Sequence, residues 1–180
     1  GILGTEAVAA VGTGQRILFV IQSIIMAVST GTAALVARAF GSANYKEAAQ
    51  VLLDSLWIGV ILSILAATSM WLYGESIISF FGLDPESKKL AVIYIKYTML
   101  FSAAFSSSFI FSSALRAAGD AKTPLAIMIF QNFLNIYLLI GLVNGQFGFP
   151  EMGVVGASYA WGISFTVGTG VYVIMWLSKM

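Results

Sequence analysis

The stretch PLAIMIFQNFLNIYLLIGLVNGQFGFP, residues 124–150, contains no charged side chain. A transmembrane helix needs about 20 consecutive, mainly apolar residues, although one such run could also be a buried core helix. Four further runs of similar length are also free of charge: residues 17–37, 55–74, 97–115 and 152–178. Five runs in series are more than the core of a soluble domain explains. The sequence therefore predicts a polytopic α-helical membrane protein.

The overall composition points to the same class. Of the 180 residues, 59% are hydrophobic and only 9% are charged, whereas soluble domains carry about 25% charged residues. A membrane β-barrel is disfavoured, because its strands alternate polar and apolar side chains. We predict an all-α transmembrane bundle with about five membrane-spanning helices. The predicted spans are approximately residues 14–38, 50–73, 92–115, 124–144 and 153–178.

Several classes of function are excluded or disfavoured. The chain has no His and no Cys, which excludes disulfides, Cys/His zinc sites and nucleophile–His pairs. A net charge of +1 disfavours nucleic acid as a partner. The acids are scattered and no phosphate-binding loop is present, so neither enzymatic catalysis nor a cofactor is predicted.

Local signals predict where helices begin and end. Gly41 is expected to end the first helix in a left-handed conformation. Asp84 followed by Pro85 predicts a helix N-cap and first turn, and Thr123 is expected to cap a later helix. Residues 77–81 are short and apolar, and are expected to lie at the membrane interface.

Charge and small residues add two further expectations. The first and third loops, residues 38–47 and 116–124, together with the C-terminus carry five basic residues against four on the opposite side. This small excess places the two loops in the cytoplasm. Gly162, Thr166 and Gly170 recur at a spacing of four and predict a seam for close helix contact.

Polar side chains inside the apolar runs are the candidate binding residues. Gln22 lies in the first span, and Gln131, Asn132 and Asn135 lie in the fourth. Asp54 is the one acid well inside an apolar stretch, and an intramembrane acid suggests function. The alternative is that the amides join helices and that Asp54 meets water near the interface.

Four segments resemble motifs of the multidrug and toxic compound extrusion (MATE) transporters. Residues 3–12, LGTEAVAAVG, resemble the family's entry motif, and residues 35–48, LVARAFGSANYKEA, resemble its first cytoplasmic loop. Residues 114–124, ALRAAGDAKTP, are similar to its ALRAAGDTKTP loop, and residues 152–157, MGVVGA, resemble the start of a later helix. The matches occur in the family's order and span nearly the whole chain.

The resemblance implies a twelve-helix transporter built from two six-helix lobes. This chain would supply helices two to six of the N-terminal lobe, and its partners would be the first helix and the second lobe of the same full-length protein. Such transporters sit in the cell membrane among lipids. They export cationic or amphipathic drugs in exchange for H⁺ or Na⁺, by alternating access of the lobes.

One position departs from the family pattern. Proton-coupled prokaryotic members carry Asn-x-x-x-Asp on the fifth helix, whereas this chain has Asn135 followed by Leu139. Leucine neither binds a proton nor coordinates sodium, so either the coupling acids lie elsewhere or the ion chemistry differs. Two alternative functions stay open: a lipid-linked oligosaccharide flippase of the same superfamily, and a membrane subunit that does not transport.

Overall fold

The computed structural model describes the backbone of residues 4–178 and the side chains of residues 11–178. The described residues form an all-helical bundle without strands. Its six helices are α1 (Gly4–Gly41), α2 (Tyr45–Ser79), α3 (Pro85–Met99), α4 (Ser102–Ala117), α5 (Lys122–Asn144) and α6 (Gly153–Ser178).

Four of these helices, α1, α2, α5 and α6, are long and apolar enough to cross a membrane. The helices α3 and α4 form a fifth candidate if the pair is counted as one span, and they are bent by 54° where they meet. The prediction of an all-α, polytopic bundle is confirmed. The predicted third span, residues 92–115, is not one straight helix but crosses this bend.

The bend is stabilised by hydrogen bonds that replace the interrupted helical pattern. The Ser102 hydroxyl donates to the Met99 carbonyl oxygen at 2.7 Å. Ser63 of α2 donates to the Ser102 carbonyl at 3.2 Å, and Ser102 also lies 3.3 Å from the Ser63 carbonyl. Irregular backbone at membrane depth is tolerated when its polar groups are paired inside the protein. Here α2 supplies that pairing.

Two of the predicted helix ends differ from the structure. The first helix ends at Gly41 as predicted, but Gly41 is not left-handed; Ala43 takes that conformation instead, with φ of 57°. The Thr123 side chain does not cap α5, because the Asp120 carboxylate accepts from the Thr123 backbone N–H at 3.0 Å. The N-cap residue of α5 is Ala121, whose side chain cannot accept a hydrogen bond, and Asp120 just before it supplies the acceptor.

The second loop is shorter than predicted. Residues 77–79 form the last turn of α2 and Ile78 is fully buried, while the position of residues 77–81 at the membrane interface stays a prediction. The N-cap at Asp84 is confirmed: its carboxylate accepts from the backbone N–H groups of Glu86 and Ser87, with Pro85 in the first turn of α3.

The predicted seam on α6 is only partly a contact surface. Gly162 lies directly against the Phe101 ring, but Gly170 has open space around it and Thr166 is exposed. The close contacts of α6 with α5 occur at two other glycines. Gly168 lies against the Gln131 side chain, and Gly156 packs on the α5 backbone. Small residues therefore bring α6 close to α5.

Packing is uneven around the bundle. The helix α5 packs extensively on α6 but touches α4 at few points, while α4 packs on α1, α2 and α6. A cleft is consequently left between α4 and α5, with α6 as its floor.

Candidate functional site

The cleft has a volume of about 420 Å³ and is lined by twelve residues of three helices. They are Ser108, Phe109, Ser112 and Arg116 of α4, Met128, Gln131, Asn132 and Asn135 of α5, and Trp161, Ser164, Phe165 and Tyr172 of α6. Small-molecule sites commonly measure about 300–1,000 Å³ and combine apolar walls with a few polar groups. This cleft has that size and that mixture.

Gln131 joins the two walls of the cleft. Its side chain is 8% exposed, and its Nε2 donates to the Ser108 hydroxyl of α4 at 3.1 Å. The amide lies against Gly168, which has no side chain to displace it. Gln131 is thus held at the base of the cleft, where it both binds α4 and exposes little polar surface.

The two asparagines behave differently from Gln131. Asn132 is exposed and donates from its Nδ2 to the Met128 carbonyl of its own helix at 2.9 Å. Asn135 is half-buried, and its side chain makes no hydrogen bond to another described residue. A polar group facing an apolar membrane interior requires a partner. Among the amides in the cleft, Asn135 is therefore best placed to form a hydrogen bond with a bound molecule or with water.

Aromatic rings form one side of the cleft. Trp161 lies 4.8 Å from Phe165, and the Phe105 ring, behind them on α4, stacks on Trp161 at 5.3 Å between centroids. Aromatic faces attract apolar and cationic groups alike. Arg116 supplies the one charge among the lining residues and is exposed.

Gln22 does not reach this cleft. It is half-buried on α1 and lines a separate cavity of about 10 Å³, together with Ser63 and Ser102 at the bend. That volume is close to the space of one water molecule. Among the described residues, Trp161 is the one that lines both cavities.

Asp54 lies apart from both cavities. It is exposed on α2 and accepts from Gln50 Nε2 of its own helix at 2.9 Å. The structure thus brings together Gln131, Asn132 and Asn135 but not Gln22 or Asp54.

Several lining residues were not among the predicted site residues. Ser108, Ser112 and Arg116 recur at a spacing of four, which places them on one face of a helix. That spacing was the available signal. No comparable signal identifies Trp161 or Tyr172, because an aromatic residue in an apolar run is expected to face lipid or a neighbouring helix.

Comparison with known proteins agrees with this architecture. The family model MatE matches residues 1–140. A probable multidrug resistance protein NorM of Thermotoga maritima is 34% identical over 172 residues, which cover 94% of this chain and 37% of that protein. The chain therefore spans little more than a third of the length of this relative.

Two solved structures of multidrug resistance MATE family transporters share the fold. An inward-facing one has a TM-score of 0.85 and 28% identity, and covers 97% of this chain and 39% of its own. An outward-facing one has a TM-score of 0.88 and 26% identity, and covers 98% of this chain and 38% of its own. Together with the family match, the bundle and its cleft show that this chain belongs to the MATE family of multi-pass membrane transporters.

Proposed function

We propose that this chain supplies helices two to six of the N-terminal lobe of a cation-coupled antiporter that exports amphipathic or cationic compounds. In this assignment α1 is helix two, the bent pair α3–α4 is helix four, and α5 and α6 are helices five and six. The loop at residues 38–47 and the loop at residues 116–124 face the cytoplasm, and the full-length protein lies in the cell membrane.

The cleft between α4 and α5 is the observation that carries the proposal. Its rings offer an apolar and cation-attracting wall, while Asn135 offers an amide without another partner among the described residues. An amphipathic compound presents both an apolar body and a polar end, which suits this combination; a cationic one gains the ring faces but is repelled by Arg116. In this proposal Gln131 and Asn132 complete the polar side of the cleft, and Gln22 binds water behind Trp161.

Alternating access is supported by the two structural comparisons. The chain matches an inward-facing and an outward-facing transporter with TM-scores of 0.85 and 0.88. A segment that fits both states nearly equally well suits a mechanism in which a rigid lobe rocks against its partner. The coupling groups are placed outside the α4–α5 cleft, because Arg116 is its one charged lining residue and Leu139 replaces an acid.

The lining also bears on the two alternative functions. A site for a lipid-linked oligosaccharide needs several cations for the pyrophosphate, and a single arginine is a poor match. A subunit that does not transport needs no cleft, and its helix faces would be closed by packing. Neither alternative is favoured.

The test uses the full-length protein in proteoliposomes loaded with ethidium, under an imposed proton gradient and, separately, a sodium gradient. We expect dye movement with one of the two ions, and we expect Asn135→Ala to reduce it at least tenfold. Gln146→Ala is the matched control, because Gln146 is an exposed amide outside the cleft. Absence of movement with both gradients, or an unaffected Asn135→Ala variant, would overturn the proposal.

A further inference from the structure

A second surface, at the opposite end of the bundle from Arg116, carries a cluster of lysines. Lys88, Lys89 and Lys96 line a cleft of about 420 Å³ between the end of α2 and the start of α3. Glu75 is the one acid among the lining residues, and its Oε1 lies 3.9 Å from Lys96 Nζ. Among the lining residues of this basic cleft three lysines outnumber one glutamate, while Asp84 and Glu86 at the start of α3 lie outside the lining.

An apolar groove lies next to the basic cleft on the same side of the bundle. This lateral groove has a volume of about 350 Å³ and runs between α2 and the α3–α4 bend. Its lining residues are Ser63, Ile64, Ala67, Thr68, Trp71, Leu72, Met99, Leu100, Ser102 and Ala103. Ser63 and Ser102 are bonded to each other's backbone at its floor, so the groove offers an incoming molecule apolar contact.

Lys96 and Trp71 connect the two surfaces. The Lys96 ammonium lies 5.7 Å from the centre of the Trp71 ring, within the range of a cation–π contact. Lys96 lines the basic cleft and Trp71 lines the lateral groove. The positive and apolar surfaces are therefore continuous through this pair.

The length of this continuous surface along α2 matches the thickness of one membrane leaflet. The basic cleft lies beside the loop between α2 and α3, which is the polar end of this hairpin. From Glu75 to Ile64 the chain advances eleven residues along α2, or about 16 Å at 1.5 Å per residue. Half of the hydrocarbon core measures about 15 Å. The surface thus extends from the headgroup level to about the middle of the bilayer, which is the length of one leaflet.

We propose that the basic cleft and the lateral groove together form a site for one anionic phospholipid. The phosphate binds the ammonium groups of Lys88, Lys89 and Lys96, and one acyl chain lies in the lateral groove along Trp71 and Leu72. Basic residues near a membrane surface attract anionic lipids, and Trp side chains favour the headgroup level. A zwitterionic lipid gains the apolar contact but, having no net charge, gains less from the excess of lysines in the lining.

The experiment counts lipids bound to the purified full-length protein by native mass spectrometry. Phosphatidylglycerol is titrated in parallel with phosphatidylcholine of the same acyl chains. The variant Lys88→Gln/Lys89→Gln removes two charges from the basic cleft and leaves the Lys96–Glu75 contact intact. Its control, Lys46→Gln/Lys122→Gln, removes two exposed lysines at the other end of the bundle.

We expect the cleft variant to bind its most tightly held phosphatidylglycerol molecule roughly 25-fold more weakly than the unmodified protein does. Each of the two removed lysines accounts for roughly fivefold. The control is expected to stay within about twofold of the unmodified protein. Equal weakening in the two variants would overturn the proposal, because it would show general attraction of lipid to a positively charged protein. Equal affinity of the unmodified protein for the two headgroups would overturn it as well.

A separate variant tests the acyl chain. Thr68→Trp fills the lateral groove from its exposed rim without changing the charge. It should weaken the binding of phosphatidylglycerol with long acyl chains at least tenfold. The variant should elute from a size-exclusion column at the same volume as the unmodified protein, which would show that it is folded. If Thr68→Trp has no effect, or if inorganic phosphate displaces the lipid completely, the site binds a free anion and the proposed lipid site is refuted.

Discussion

The contact between Gly168 and Gln131 allows a stringent test of how the α4–α5 cleft is built. A Cβ atom added at Gly168 would overlap the Gln131 amide and lie only 2.7 Å from its Cγ. Gln131 would have to move, and its 3.1 Å hydrogen bond to Ser108 would be lost. Both partners are more than nine-tenths buried, at 8% and 4% exposed.

The cost of Gly168→Ala follows from these contacts. Losing a side-chain hydrogen bond between membrane helices costs about 0.6 kcal/mol on average, and overpacking a well-filled contact costs about 1–3 kcal/mol. Better helix propensity returns up to about 1 kcal/mol. We therefore expect a net loss of about 0.6–3.6 kcal/mol in the free energy of unfolding.

The assay is thermal unfolding of the full-length protein in detergent, followed by the loss of its monodisperse peak. Gly170→Ala is the matched control, because it is on the same helix and its added Cβ meets nothing within 4 Å. Gln131→Ala/Gly168→Ala should recover part of the lost stability, since the overlap is removed. Equal melting temperatures for Gly168→Ala and Gly170→Ala would refute this account of the contact. A double variant no more stable than Gly168→Ala would refute it as well.

The remaining predictions concern other hydrogen bonds. Asn135→Ala should reduce ethidium transport without lowering the Tm, because its side chain bonds no other described residue; a lowered Tm would instead indicate a packing role. Ser158→Ala should cost about 1 kcal/mol in chemical unfolding, at about 0.6 kcal/mol per bond, since its hydroxyl both accepts from Thr98 and donates to the Tyr94 carbonyl; Ser69→Ala, exposed and bonded within its own helix, should cost less. A hydrogen bond with the Ser87 side chain, supported by backbone N–H bonds, holds the pKa of Asp84 below its ordinary value of 3.8. The cap therefore stabilises α3 at a pH above 3.8 and is lost as the pH falls through the lowered pKa. Protection of the first turn of α3 from amide exchange should therefore fall when the unmodified protein is acidified. In Asp84→Ala this protection should be low at every pH.

The helices were largely predictable because the bilayer imposes a simple requirement. A chain that crosses hydrocarbon must satisfy its backbone internally and present apolar side chains over about 20 residues. Local chemistry predicted Asp84 and Pro85 at the start of α3 for a similar reason, since capping depends on neighbours in sequence.

The bend between α3 and α4 could not be predicted in this way. Residues 86–118 contain neither Gly nor Pro, the usual causes of a kink. The bend depends on Ser63, which is 39 residues away from Ser102, and on Phe101 fitting against Gly162. Contacts of that kind appear only once the helices are placed side by side.

The candidate site was predictable on one helix and not across helices. Spacing in sequence placed Gln131, Asn132 and Asn135 together because they lie within about one turn of α5. Nothing in the sequence relates Gln22 to that turn, and Trp161, which lines both cavities, belongs to α6. Asp54 drew attention as an acid in an apolar stretch, but α2 extends well beyond that stretch and places it on an exposed face.

In the proposed function, the uneven packing of α5 among the described helices would allow the cleft to exchange bound molecules. A helix packed on both sides would bury Asn135 against a neighbour, and the amide would need a partner within the protein. Because α5 is attached mainly through α6, the Gln131–Ser108 bond is the one side-chain hydrogen bond seen between α4 and α5 within residues 11–178. Such bonds contribute about 0.6 kcal/mol on average in membrane proteins, which is comparable to thermal energy. Among the described helices the width of the cleft is therefore weakly held, and if the proposed function is right, we expect its walls to adapt to substrates of different size while the Gly168 contact keeps the base in place.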